Sequence, residues 1–171
     1  MGKPIDMELI RSLGKSIAGS EMFGKMSASA GEVLAVSVLR NGLDVVKFSQ
    51  DFDYMHKKFS MKSQTMLARL IAAGGTFQIL ERTAEAAEIV ASIDGREVQE
   101  RFTWLEAQDE PFVYDGKPSD VVPKLVNGQR DELKLASNYA TPRRRGQHLW
   151  ARVVSDSIRT IAPNLLAGSN H

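Results

Sequence analysis

The chain has 171 residues, 43% of them hydrophobic, with no cysteine and with 22 Lys+Arg against 21 Asp+Glu. That is enough apolar material for one or at most two domains, read here as a single one, and the lack of cysteine excludes a disulfide scaffold, thiolate catalysis and Cys-ligated metal sites. No apolar run reaches the roughly 20 residues of a membrane helix, and the polar start from Met1 to Arg11 is not a signal peptide, so a soluble, cytoplasmic protein with no membrane partner is expected.

Residues 1–28 read as an N-terminal helical arm, with weak periodicity at Met7, Ile10, Leu13 and Ile17 and a loop around Gly24. Ser29 and Glu32 form a capping-box pair ahead of Val33, Leu34, Val38 and Leu39, and Asn41-Gly42 supplies a stop, so a helix is predicted there. Val45–Phe48 and Tyr54–Phe59 carry β-branched and aromatic residues between polar ones, which predicts two short strands turning at Gln50-Asp51. Ser63 to Ala73 reads as a helix with Met66, Leu67, Leu70 and Ile71 on one face, ended by Gly74-Gly75.

A strand is predicted from about Thr76. The Asp94-Gly95 pair then signals a tight turn joining Glu88–Ile93 to Arg96–Trp104 in an antiparallel meander. Residues 108–129, rich in proline and glycine and without a period, read as a long mobile loop, and a short helix is expected over Arg130–Ser137. Pro142 opens a long helix that runs to Ile161, with Leu149, Trp150, Val153, Val154, Ile158 and Ile161 as its buried stripe. The expected class is therefore α+β, a small antiparallel sheet packed with several helices and closed by a long C-terminal helix.

Charge is segregated along this layout. Glu81 to Asp120 holds 11 acidic and 4 basic residues, whereas Thr141 to Thr160 holds 5 arginines and 1 aspartate. The acidic residues alternate along predicted strands, as a solvated sheet face does. Gly14-Lys15-Ser16 resembles the tail of a phosphate-binding loop, but Leu9 stands where the first glycine is needed. His56, His148 and His171 lie far apart without metal-site spacing, and no serine sits in a nucleophile elbow. No catalytic residue, resident metal or cofactor is assigned, Mg²⁺ participation is left open, and the chain is not read as an enzyme.

On the last helix Arg145, His148, Arg152, Ser155 and Arg159 recur at spacings of three and four, so they share one face. Arg143 and Arg144 precede them, near backbone N–H groups that also favour an anion. Such a row suits phosphate, which guanidinium groups pair bidentately. The alternative is an outer face bridged by salt bridges to the acidic sheet.

Met66-Leu67-Ala68-Arg69-Leu70, Ala73-Gly74-Gly75-Thr76-Phe77 and Glu81-Arg82-Thr83 resemble the core of RecT-type phage recombination proteins, the single-strand annealing proteins related to Redβ. Tyr54 to Met61 is similar to their short hairpin. Ala151-Arg152-Val153-Val154-Ser155 through Arg159, Ala162-Pro163 and Leu166-Ala167-Gly168 is similar to their closing helix. In order, these patches run from Tyr54 to Gly168, and the resemblance covers roughly Ser29 to Gly168. Before the last helix the family often has Asn-Trp, where this chain has Asn138-Tyr139.

The resemblance implies ATP-independent annealing of complementary single strands by a homo-oligomer, a ring or a helical filament, inside a bacterial host cell. A phage exonuclease or a host single-strand binding protein would be further partners. Phosphate contact would fall to Lys57, Lys58, Lys62, Arg143, Arg144, Arg145, Arg152 and Arg159, and base contact to Tyr54, Phe59 and Tyr139. Two other readings stand beside it: an interaction module that keeps the fold without annealing, and a metal-dependent nuclease using the acidic strands.

Overall fold

The computed structural model describes residues 6–55, 57–115, 125–126, 129–130 and 134–167. The α+β class is observed, with helices, small antiparallel sheets and a long C-terminal helix. The chain falls into two compact units, one running to Thr65 and the other spanning Met66–Gly168.

In the first unit, α1 (Met7–Gly19) starts where the Asp6 carboxylate accepts the Glu8 N–H at 2.8 Å. It packs on α2 (Ala28–Asn41), so the expected arm is part of the unit's core. The cap of α2 is Ser27, whose Oγ accepts the Ala30 N–H at 3.2 Å, two residues before the expected Ser29. Ser29 instead lies in the first turn, 2.9 Å from the Ser27 hydroxyl. Gly14 of α1 and Gly31 of α2 meet face to face: a Cβ on Gly14 would lie 2.6 Å from the Glu32 nitrogen, and one on Gly31 would overlap the Gly14 carbonyl. The missing side chains let the two helices touch backbone to backbone. Ile10, Ile17, Phe23, Leu34 and Ala35 close the core beside them.

The expected strand at Val45–Phe48 is a helix, α3 (Val45–Asp51). Asp44 decides it, because its carboxylate accepts the N–H groups of Val46 and Lys47 at 3.1 and 3.0 Å. A satisfied N-cap outweighs the modest strand preference of two valines. The segment at Gln50-Asp51 is therefore the last turn of a helix. The hairpin pairs β1 (Phe52–Met55) with β2 (Lys58–Met61), Tyr54 lying opposite Phe59. His56, at its turn, lies outside the described residues.

α4 (Ser63–Ala72) begins in the first unit and continues into the second. Met66, Leu67 and Leu70 are buried as expected, but Ile71 is 56% exposed. Gly74 ends the helix with φ at +86°, and Gly75 is held tightly, since a Cβ there would meet the Leu70 side chain at 2.6 Å. The meander follows: β3 (Thr76–Arg82), β4 (Ala86–Ile93) and β5 (Arg96–Thr103), with β4 central. Asp94 and Gly95, both at positive φ, make the tight turn between β4 and β5. Trp104 is not the end of a strand, because Thr103 and Glu106 form a capping box that starts α5 (Trp104–Ala107).

Within the expected loop at 108–129, Pro111–Val113 form a short 3-10 helix and Tyr114 bridges Leu135. β6 (Leu125–Val126) pairs with β7 (Gln129–Arg130), so Arg130 sits in a strand and not in the expected helix. The rest of that loop, 116–124 and 127–128, lies outside the described residues, as do 131–133 of the expected helix. The final long helix, α6 (Pro142–Ile161), has the predicted bounds, with the whole expected stripe buried, Ser157 within it, and α7 (Asn164–Ala167) after it.

The α1–α2 crossing gives the first test. Replacing Gly31 with Ala should destabilise the protein by roughly 1–3 kcal/mol through overpacking, while Gly19→Ala, which meets nothing within 4 Å, should stay within about 0.5 kcal/mol. Urea unfolding followed by far-UV circular dichroism reads both, and equal stabilities would disprove the close approach.

Candidate nucleic-acid interface

α6 is built to show two sides. Thr141 caps it, its Oγ accepting the Arg144 N–H at 3.3 Å, and Pro142 occupies the first turn, where its missing N–H costs nothing. Gly146 lets the first turns approach the chain at Thr83, whose carbonyl oxygen would be 3.0 Å from a Cβ. The apolar stripe lies on β4 and β5, where Ala87, Ile89, Ala91 and Ile93 are the buried alternate positions of β4.

The opposite side carries Arg144, Arg145, Arg152 and Arg159, whereas Arg143 lies in phase with the stripe at the helix start, and the five differ in how free they are. Arg143 and Arg144 are exposed, and Arg144 donates through Nη1 to the Ser137 carbonyl at 2.9 Å. Arg152 pairs with Asp156 at 2.8 Å and leaves 48% of its side chain exposed, its guanidinium 5.7 Å from the Phe102 ring. Arg159 reaches the other oxygen of the same carboxylate at 3.7 Å and is 61% exposed. Asp156 is thus shared by two guanidinium groups.

Arg145 stands apart. Only 17% of its side chain is exposed, its guanidinium lies 4.9 Å from the Trp104 ring centre, and its contact with Glu85 is long, at 4.0 Å. Its Nε has no hydrogen-bond partner among the described residues. The structure uses this side chain to clamp α6 over α5. Among the described residues, that long contact is the one ion pair between α6 and the acidic segment. The sheet's carboxylates are engaged across strands instead: Arg101 binds Glu81 and Glu88, each at 3.3 Å.

Tyr139 belongs to an aromatic group. It stacks on Trp104 at 6.1 Å, and lies 6.1 Å from Phe112 and 5.2 Å from the His148 ring. Burial raises the Tyr139 hydroxyl above its ordinary pKa, with the Arg152 charge opposing, and burial holds the His148 imidazole below its usual 6.5. Trp104 and Phe112 meet Tyr139 only through tertiary contact, which no local spacing signals. Asp156 was legible, four residues after Arg152 and three before Arg159.

The remaining expected contacts are in the first unit. Lys57 and Lys58 are exposed at the hairpin turn. Lys62 is committed internally, donating to the Ser49 carbonyl at 2.9 Å and lying 3.6 Å from Asp53. Tyr54 and Phe59 pack together at 5.1 Å, with Phe59 also against Phe23 and Phe48. The named side chains therefore form two groups, one in each unit. Among the described residues no three metal-binding side chains cluster, and no helix is long and apolar enough to cross a membrane.

His148 gives a pH test. Held neutral in the fold, it refuses a proton that the unfolded chain accepts below about pH 6.5, so acid favours unfolding and stability rises with pH through that window. The thermal midpoint should fall between pH 7.5 and pH 5.5, and His148→Gln should flatten that part of the decline. An identical decline in both proteins would show that His148 is not responsible.

No protein-family model matches the chain, and neither does any curated protein or solved structure.

Proposed function

We propose that this chain binds single-stranded DNA along the exposed side of α6 and, as an oligomer, anneals complementary strands without ATP. The observation that carries this reading is the imbalance on that helix: Arg143, Arg144, Arg152 and Arg159 reach solvent against one carboxylate, Asp156. Two exposed arginines, Arg143 and Arg144, sit in its first turn, at the positive end of its dipole, where acidic residues would be the stabilising choice. Cations gathered against that electrostatic preference suit an anionic partner. The RecT-like order of motifs supplies the strand-pairing activity. Pairing complementary strands runs downhill, so it requires no nucleotide-hydrolysing site.

Asp156 acts in this reading as a resident anion. It holds two guanidinium groups in place while strands are absent, and phosphate oxygens replace it when they arrive. The structure thereby lowers the ordering cost of binding, at the expense of a competing charge.

An annealing assay with complementary oligonucleotides tests the reading, and protein-dependent acceleration without ATP is expected. No acceleration over the protein-free control rejects it, and a monomer indifferent to single-stranded DNA would mark the chain as an interaction module instead. Arg152→Ala with Arg159→Ala should flatten the log–log salt dependence of binding by about 1.4, the value for two lost single-strand phosphate contacts. Asp156→Asn should act the other way, tightening binding several-fold at about 0.1 M salt, with an effect on stability below about 1 kcal/mol because both pairs are exposed. Fluorescence anisotropy across a salt series measures both, and unchanged slopes would remove α6 from the interface.

A further inference from the structure

An open cleft of about 900 Å³ lies between the start of α2 and the β1–β2 hairpin, within the first unit. Its size is that of pockets that seat small organic ligands, about 300–1,000 Å³. Tyr54 and Phe59 form one wall. They are cross-strand partners, and Phe23 and Phe48 support Phe59 from behind at 5.5 and 5.3 Å, so the wall is fixed in place.

Lys25 and Lys57 also line the cleft, and among the described residues neither has a carboxylate within ion-pair distance, in contrast to Lys62. Lys57 is held at φ +63°, a backbone conformation that bulky side chains seldom adopt. The hydroxyls of Ser27 and Ser29 complete the polar side. Ser27 already caps the Ala30 N–H, and the cleft's preference for an anion comes from the two ammonium groups.

Uncompensated lysines beside a fixed aromatic wall match a flat π ring joined to a phosphate. We infer that this cleft seats one nucleotide of a single DNA strand, its base against Tyr54 and Phe59 and its phosphate between Lys25 and Lys57. Contact with a π face tolerates any base, so the site is sequence-independent. The inference rests on the single-strand reading above, and adds to it an attachment point separate from α6.

The test is photocrosslinking of the full chain to a 5′-phosphorylated tetranucleotide carrying one 5-iododeoxyuridine, with the crosslinked residue mapped by mass spectrometry. Crosslinks at Tyr54 or Phe59 are expected, reduced roughly tenfold by Lys25→Gln with Lys57→Asn, asparagine being tolerant of the left-handed backbone. An unlabelled tetranucleotide should compete, and inorganic phosphate at the same concentration should not. Crosslinks confined to Trp104 or Tyr139 overturn the cleft assignment, and the map in the unsubstituted protein decides this even if the double variant misfolds. Annealing activity together with an unlabelled cleft sinks this inference alone. A labelled cleft without annealing sinks the annealing reading alone.

Discussion

The second unit depends on one amphipathic contact, the seating of α6 on the sheet of β4 and β5. Leu149, Val153, Val154 and Ile158 are essentially without solvent contact, and burying side chains of this kind stabilises by about 1.5–3 kcal/mol each. Because 3.6 residues make a turn, fixing that stripe also fixes where Arg152 and Arg159 emerge. The core thereby aims the cations, and a polar substitution at Val153 would disturb the outer side as surely as the inner one.

The arginines of the second unit divide their labour. Arg82 and Arg145 lie over indole rings, at 4.9 Å from Trp150 and Trp104 respectively, contacts worth about 0.5–2 kcal/mol depending on desolvation. Arg69 donates to the Leu165 carbonyl at 2.9 Å and so ties α4 to α7. Those side chains hold the unit together. On α6 itself the arginines left exposed are Arg143 and Arg144 at the helix start and the two that share Asp156. Counting positive charges along a helix overstates its interface unless the structural guanidinium groups are set aside.

The parts of this fold that were legible in the sequence were those with a strong local signal. Asp94-Gly95 fixed the hairpin because few other pairs take two positive φ angles in succession, and the apolar spacing of α6 placed its buried stripe residue by residue. The differences both lie at helix starts. At Val45–Phe48 the cap that Asp44 offers overrides side-chain type, and at α2 two nearby serines compete for the cap, which Ser27 and not Ser29 holds. The candidate site was half readable. Spacing found the Arg row, but the withdrawal of Arg145 onto Trp104 and of Lys62 onto Ser49 are tertiary events that no local pattern encodes.

Both tryptophans, Trp104 and Trp150, belong to the second unit, and each lies beneath a guanidinium group. The first unit has no indole at all. Intrinsic indole emission is therefore a private optical channel for one half of the molecule, whereas ellipticity sums over both. If the halves melt separately, the two signals will part company, and no label has to be attached to see it.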